Sequence, residues 1–162
     1  MARSVQESER SSDRLISRNR RVRFDYQIEE TFEAGLVLMG SEVKMLREGH
    51  ADLTDAWVDV DVRNEAWVKG MRIPVLTHAA FGHEEKRVRK LMLHAEQVRE
   101  IRSRIEAQGM TAVVVKCYFR RGRAKLEIAL ARGRKKHDKR QVIREREDYR
   151  EAREAIRRMH RS

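Results

Sequence analysis

The stretch "TAVVVKCYFRRGRAKLEIALARG", residues 111–133, constrains the fold more than any other part of the chain. Val113, Val115, Cys117 and Phe119 alternate with their neighbours, Arg121-Gly122 supplies turn residues, and Ala124, Leu126, Ile128 and Leu130 resume the alternation. A period of two on both arms of a turn reads as an antiparallel hairpin with one face to bury. A second hairpin runs through "AWVDVDVRNEAWVKGMRI": Val58, Val60 and Val62 alternate with Asp59 and Asp61, Arg63-Asn64-Glu65 turns, and Trp67 starts the return.

The other segments fit around these hairpins. "FDYQIEETF" puts Phe24, Tyr26 and Ile28 on one side of a strand, and "GLVLMG" reads as a short buried strand. "SEVKMLREG" reads as a short helix with Ser41 as its N-cap, Lys44 and Arg47 late, and Gly49 as its stop. Leu91, His94, Val98, Ile101 and Ile105 recur at steps of three and four before Gly109, one helical stripe whose first residues, "KLML", also fit a strand. The fold expected is mainly β: an OB-like antiparallel barrel of about six strands with two or three helices, a platform suited to single-stranded nucleic acid.

A chain of 162 residues carries one domain plus tails. Its net charge of +11 is unevenly spread: residues 1–23 hold a surplus of four positive charges, residues 132–162 a surplus of seven, and 24–131 are neutral. Basic ends on a neutral body point to a polyanionic partner. No apolar run approaches a membrane span and "MARSVQESERSSDR" lacks a signal-peptide core, so no membrane partner is expected. The single Cys117 fits a reduced, cytoplasmic protein.

Catalytic chemistry finds no foothold. The six histidines are scattered, "GHEEKR" lacks a second histidine at zinc-site spacing, and Gly35, Gly40 and Gly49 make no phosphate-binding fingerprint. No enzyme activity, metal or cofactor is expected. Basic segments recur instead: "RNRRVR", "EKRVRK", "FRRGRAK" and "RGRKKHDKR", with Phe24, Tyr26, Tyr118 and Phe119 close by. Such cations neutralise phosphates, and guanidinium planes stack on bases.

Residues 1–18 read as a disordered arm. After Gly133 there is no glycine or proline, and only Val142, Tyr149, Ile156, with Ala152 and Met159, form a seam too thin to hold a core. Glu154 and Arg158 are a favourable pair four apart, but Arg146–Arg150 and Glu147–Glu151 are like-charge pairs. Alone in water such a helix is marginal. The tail therefore reads as a segment that orders on a partner, with a coiled-coil arm as the alternative.

Three long stretches carry a resemblance: "NRRVRFDYQIEETFEAGLVLMGSEVKMLREGHADLTDAWV", "RVRKLMLH" and "YFRRGRAKLEIALARGRKKHDKR". They resemble the bacterial SsrA-binding protein (small protein B) family from Asn19 to beyond Arg140. The resemblance implies an OB-type domain over residues 19–131 that binds the tRNA-like domain of transfer-messenger RNA (SsrA RNA) without catalysis. It further implies delivery of alanylated transfer-messenger RNA with elongation factor Tu to stalled ribosomes. A basic tail over 132–162 would become helical in the messenger channel and the decoding centre of the small ribosomal subunit. By position, RNA contacts fall on Asn19, Arg20, Arg21, Arg23, Glu33, Arg89, Lys90 and Met92, the last standing where leucine is usual. The tail motif falls on Gly133, Arg134, Lys135, Lys136, His137, Asp138, Lys139 and Arg140, with His137 implied to stack on a ribosomal base. Arg134 stands in place of the more usual lysine, and "GHEEKRVRK" lacks the asparagine and proline common there. A general OB-fold, ribosome-associated RNA-binding protein and a coiled-coil interaction protein are the rival readings.

Overall fold

The computed structural model describes residues 13–75, 82–134 and 136–161, except the side chains of 136–142 and 161. Along them run β1 (Arg14–Arg18), a one-turn helix α1 (Val22–Asp25), the long β2 (Tyr26–Leu36), and α2 (Gly40–Arg47). The hairpin β3 (Trp57–Val60) and β4 (Ala66–Lys69) follows, then β5 (Arg89–Met92) and α3 (Ala95–Gln108). The long hairpin β6 (Thr111–Arg120) and β7 (Arg123–Gly133) leads into α4 (Lys136–Arg161).

The strands close a ring. β6, β3, β4, β5, β2 and β7 are hydrogen-bonded in that order, every pairing is antiparallel, and β7 pairs again with β6. β6 is long enough to serve two partners on one edge: β3 takes Ala112 and Val113, and β1 takes Lys116 to Phe119. The expected mainly β barrel is therefore present, with β1 as a strand beyond the expected six. That strand also corrects the disordered arm: Arg14–Arg18 pair with β6, and residues 1–12 lie outside the described residues.

Local chemistry explains the turns. Arg121 (φ 52°) and Gly122 (φ 73°) are both left-handed, the pattern of a two-residue turn whose twist matches its strands. In the shorter hairpin, the Asp61 carboxylate accepts from the N–H groups of Arg63 (2.9 Å) and Glu65 (3.0 Å) and from Trp67 Nε1 (2.9 Å). α3 ends on Gly109 in the left-handed region.

The core lies inside the ring. Phe32, Ala34, Val58, Val68, Leu91, Leu126, Ile128 and Leu130 point inward, and α2 (Met45, Leu46) and α3 (Val98, Ile101) bring further apolar side chains to the same cluster. β6 departs from simple alternation. A bulge between Val114 and Lys116 lets Val114, Cys117 and Phe119 face the core. Val113 and Val115 turn outward to join Val22, Ala129 and Ala131 in a second, smaller cluster beside α1. The expected shared face of Val113, Val115, Cys117 and Phe119 is thus split by one extra residue.

Three further expectations are corrected. Phe24 sits in α1, and Tyr26 to Leu36 form one continuous strand rather than two. Beyond it Val37 and Met39 are exposed, not buried in a strand. Met39, not Ser41, caps α2: its backbone N–H donates to Glu42 (2.8 Å). The Ser41 hydroxyl lies instead 2.9 Å from His83 Nδ1, whose Nε2 donates to the Ile73 carbonyl (2.9 Å). Among the described residues no helix is long and apolar enough to cross a membrane. α4 leaves Ile143, Tyr149, Ile156 and Met159 exposed.

Candidate nucleic-acid interface

Because Phe32, Ala34 and Leu36 face inward, Glu33 and Gly35 face out, and strand pairing carries this outer surface onto β7 and β6. The Glu33 carboxylate accepts from the Tyr118 hydroxyl (2.5 Å) and the Arg120 guanidinium (2.7 Å). Arg120 also reaches Asp13 (3.1 Å). Lys116 and Arg120 lie over the Tyr118 ring, 5.3 and 5.5 Å from its centre. Partial burial, and then the hydrogen bond to Glu33, push the Tyr118 phenol well above its ordinary range, so it stays protonated and donating. Glu33 is therefore a fixed acceptor, one-third exposed, in a ring of donors.

Further along the same surface, Lys116 pairs with Glu127 (3.7 Å) at the edge of a 610 Å³ cleft. Arg18, Asn19, Arg20 and Arg23 line it, as does Arg146 from α4. Asn19 is held on both sides. Its Nδ2 donates to the Leu53 carbonyl (3.1 Å), its Oδ1 accepts from the Arg21 N–H (3.2 Å), and its own N–H donates to Val115 (2.8 Å). With the amide spent internally, Asn19 fixes the bend from which Arg20, Arg21 and Arg23 project to solvent.

On β5 the alternation separates two adjacent basic residues. Lys90 faces out and meets Glu65 at 3.4 Å. Met92 is 54% exposed and lies over Gly35, where an added Cβ would sit 2.8 Å from Met92 Cε. Lys125 borders the same spot, its Nζ 3.7 Å from that position.

Arg89 corrects the expectation of an RNA contact. It is wholly buried and ion-paired to the equally buried Glu42. It also donates to the carbonyls of Met71 (2.8 Å), Arg87 (3.1 Å) and Glu85 (3.1 Å). Arg87 reaches the same carboxylate at 2.5 Å. Burial pushes the Glu42 carboxyl up, but hydrogen bonds from Arg87, the Met39 N–H and Arg89 outweigh it and hold the group below its usual range. Arg89 thus builds the ground under Lys90 and Met92, with its guanidinium wholly buried.

The tail starts from a fixed point. Gly133 pairs with Tyr26, the Arg134 N–H donates to the Asp25 carbonyl (2.9 Å), and Arg134 Nε donates to that of Tyr26 (3.3 Å). Lys135 lies outside the described residues, as do the side chains of Lys136, His137, Asp138, Lys139 and Arg140, whose backbone begins α4. The structure thus gathers Asn19, Arg20 and Arg23 around one cleft, and Glu33, Met92 and Lys90 on the outer strands beside it. The reading of the sequence missed Lys116, and it took Arg120 and Lys125 only as part of a basic segment with Tyr118 beside it. Their signal was present as the polar half of the hairpin alternation, at positions 116, 118 and 120. Among the described residues no cluster of histidine, cysteine and carboxylate side chains could hold a metal ion.

A family model described as "SmpB protein" matches residues 16–158. The SsrA-binding protein of Sorangium cellulosum (strain So ce56) is 49% identical over 150 residues, covering 93% of this chain and 92% of that protein. The SsrA-binding protein of Bifidobacterium longum (strain DJO10A) is 48% identical over 148 residues, covering 91% and 94%. A chain from the solved structure "tmRNA-SmpB: a journey to the center of the bacterial ribosome" superposes with a TM-score of 0.63 at 36% identity, over 79% of this chain and 94% of that one. The matches span the barrel, the outer strands that carry Glu33 and Met92, and most of the terminal helix; the chain belongs to the SmpB protein family.

Proposed function

We infer that this protein binds transfer-messenger RNA and works with it on stalled ribosomes, in trans-translation. The observation that carries the reading is the outer face of β2, β6 and β7. In a protein of net charge +11, a carboxylate held between Tyr118 and Arg120 is not there to neutralise phosphate. It is an acceptor suited to base or 2′-hydroxyl donors, which a shaped RNA presents and a phosphate chain does not. Arg20, Arg21 and Arg23 beside it supply sequence-independent phosphate contacts. Lys90 and Met92 extend the platform across β5.

In this reading residues 19–131 hold the tRNA-like domain. Residues 132–134 close the barrel at the end of β7, and the tail beyond them fills the messenger channel and decoding centre left empty by the missing codon, where His137 stacks on a ribosomal base. Alanylated transfer-messenger RNA would arrive in complex with elongation factor Tu. The protein performs no chemistry of its own, needs no cofactor, and acts in the cytoplasm.

Glu33→Ala tests the carrying observation. A charged acceptor lost from an RNA contact should weaken transfer-messenger RNA binding by about tenfold or more. The melting temperature should fall only modestly, because Arg120 keeps Asp13 and the position is exposed, while the Tyr118 hydroxyl loses its acceptor. Unchanged affinity in a filter-binding titration, or a loss matched by unfolding, would contradict the role.

A further inference from the structure

We propose that a strip of apolar side chains beside this face, Val37, Met39 and Val88, receives unstacked bases of the bound RNA. The proposal rests on the transfer-messenger RNA reading and extends the site beyond Met92. Val37, Met39 and Val88 are 45%, 49% and 44% exposed; single exposed apolar side chains are ordinary, and what counts here is that these three lie side by side.

Backbone geometry brings them together. Gly35 and Leu36 pair with Met92 and Leu91, and the Val37 N–H donates to the Lys90 carbonyl (3.0 Å), extending the ladder past the end of β2. One Glu42 oxygen then accepts from both the Met39 N–H (2.8 Å) and Arg87 (2.5 Å), which seats segment 87–88 alongside 37–39. Arg87 also reaches the Val37 carbonyl (3.4 Å). The buried network thus ties the two segments of the strip together from below. Contiguous exposed apolar surface marks a contact site.

Two features choose the occupant. By strand register the strip and Met92 lie on the same outer face with Lys90 between them, and Met92 lies over Gly35, two residues along β2 from Glu33. The strip is also flanked by cations, Lys90 within it, half-exposed and 3.4 Å from Glu65, and Lys125 beside Gly35. Apolar ground between lysines suits a strand whose bases turn to the protein while its phosphates meet the ammonium groups. A duplex buries its base faces and gains nothing from such ground. The strip therefore selects folded RNA with splayed bases over plain duplex.

The test is a full-length Val37→Ser/Met39→Gln/Val88→Ser variant, which leaves Glu33, Lys90, Met92 and Lys125 in place, with Met39→Gln alone as a milder companion. Dissociation constants for transfer-messenger RNA and for a plain RNA duplex are measured over a salt series. We expect the triple variant to bind transfer-messenger RNA about tenfold more weakly and Met39→Gln to fall between it and wild type. Duplex binding, the slope of affinity against salt and the melting temperature should be unchanged, because no phosphate contact is removed. Equal binding by variant and wild type overturns the proposal, as does an equal loss on duplex. Normal RNA binding with lost ribosome association also overturns it and makes the strip a protein-docking surface. Should the wild type show no preference for transfer-messenger RNA, the parent reading fails; a preference unaffected in both variants defeats this inference alone.

Discussion

Arg89→Ala should cost the barrel about 3 kcal/mol, the lower end of the loss expected when one partner of a buried ion pair is removed. Glu42, wholly buried at the start of α2, loses its buried partner and keeps only Arg87 and the Met39 N–H. The loss also removes a donor from the carbonyls of Met71, Arg87 and Glu85, the last of which keeps the Ile73 N–H, so the loop before β5 loosens together with α2. Urea denaturation should reveal the change as a shift in midpoint. The double variant Glu42→Met/Arg89→Met should recover much of the stability, since buried ion pairs exchanged for apolar residues of similar volume are often neutral.

Acid provides a second readout of the same network. The Glu42 carboxyl is held below its ordinary value of 4.5, so its unfolded form binds a proton more readily than its folded form. The stability it contributes is complete above that unfolded value and is lost as pH falls through the lower, folded one. The double methionine variant should lack this part of the acid limb. An Arg89→Ala protein as stable as wild type would show that the network is incidental.

Ending the chain after Arg134 should abolish tagging of stalled nascent chains while leaving selective RNA binding intact. The cut is placed there because β7 runs to Gly133 and because Arg132 binds Glu29 (2.8 Å) and the Gln108 carbonyl (3.1 Å). Arg134 itself clasps α1 and the start of β2. An earlier cut would damage the barrel and confuse the result. What is removed is a helix whose described side chains are exposed, so little buried area is lost. A surplus of five positive charges goes with it, so affinity at low salt should fall and become less salt-dependent. Tagging by the truncated protein in a reconstituted translation system would refute the division between an RNA-binding barrel and a ribosome-filling tail.

The sequence carried the barrel because its two hairpins advertise a period of two, and their turns fall at Asn64 and at Arg121-Gly122, all at positive φ. It could not carry the bulge on β6. One inserted residue moves Val113 and Val115 to the outer cluster without altering composition or periodicity enough to notice. β1 was also hidden, since its ladder slips between Leu15 and Ser17 and no clean alternation survives. Arg89 is the instructive error. In a run of basic residues it looks like its neighbour Lys90, yet strand alternation places it with buried Leu91 and Lys90 with exposed Met92. That signal was readable; its partner Glu42, 47 residues away, was not. Glu33 was legible only through the resemblance, and its donors Tyr118 and Arg120 became visible only when β2 and β6 were seen on one face.

The central claim is that shaped contacts on the barrel, more than total charge, choose the RNA. Competition binding at moderate salt tests it most directly, because screening there suppresses nonspecific attraction by the basic ends. The full-length protein holding labelled transfer-messenger RNA is challenged with a large excess of ordinary tRNA. The account predicts that the complex persists against tRNA and is displaced by unlabelled transfer-messenger RNA. Equal displacement by both would contradict it and leave only a general basic RNA-binding protein.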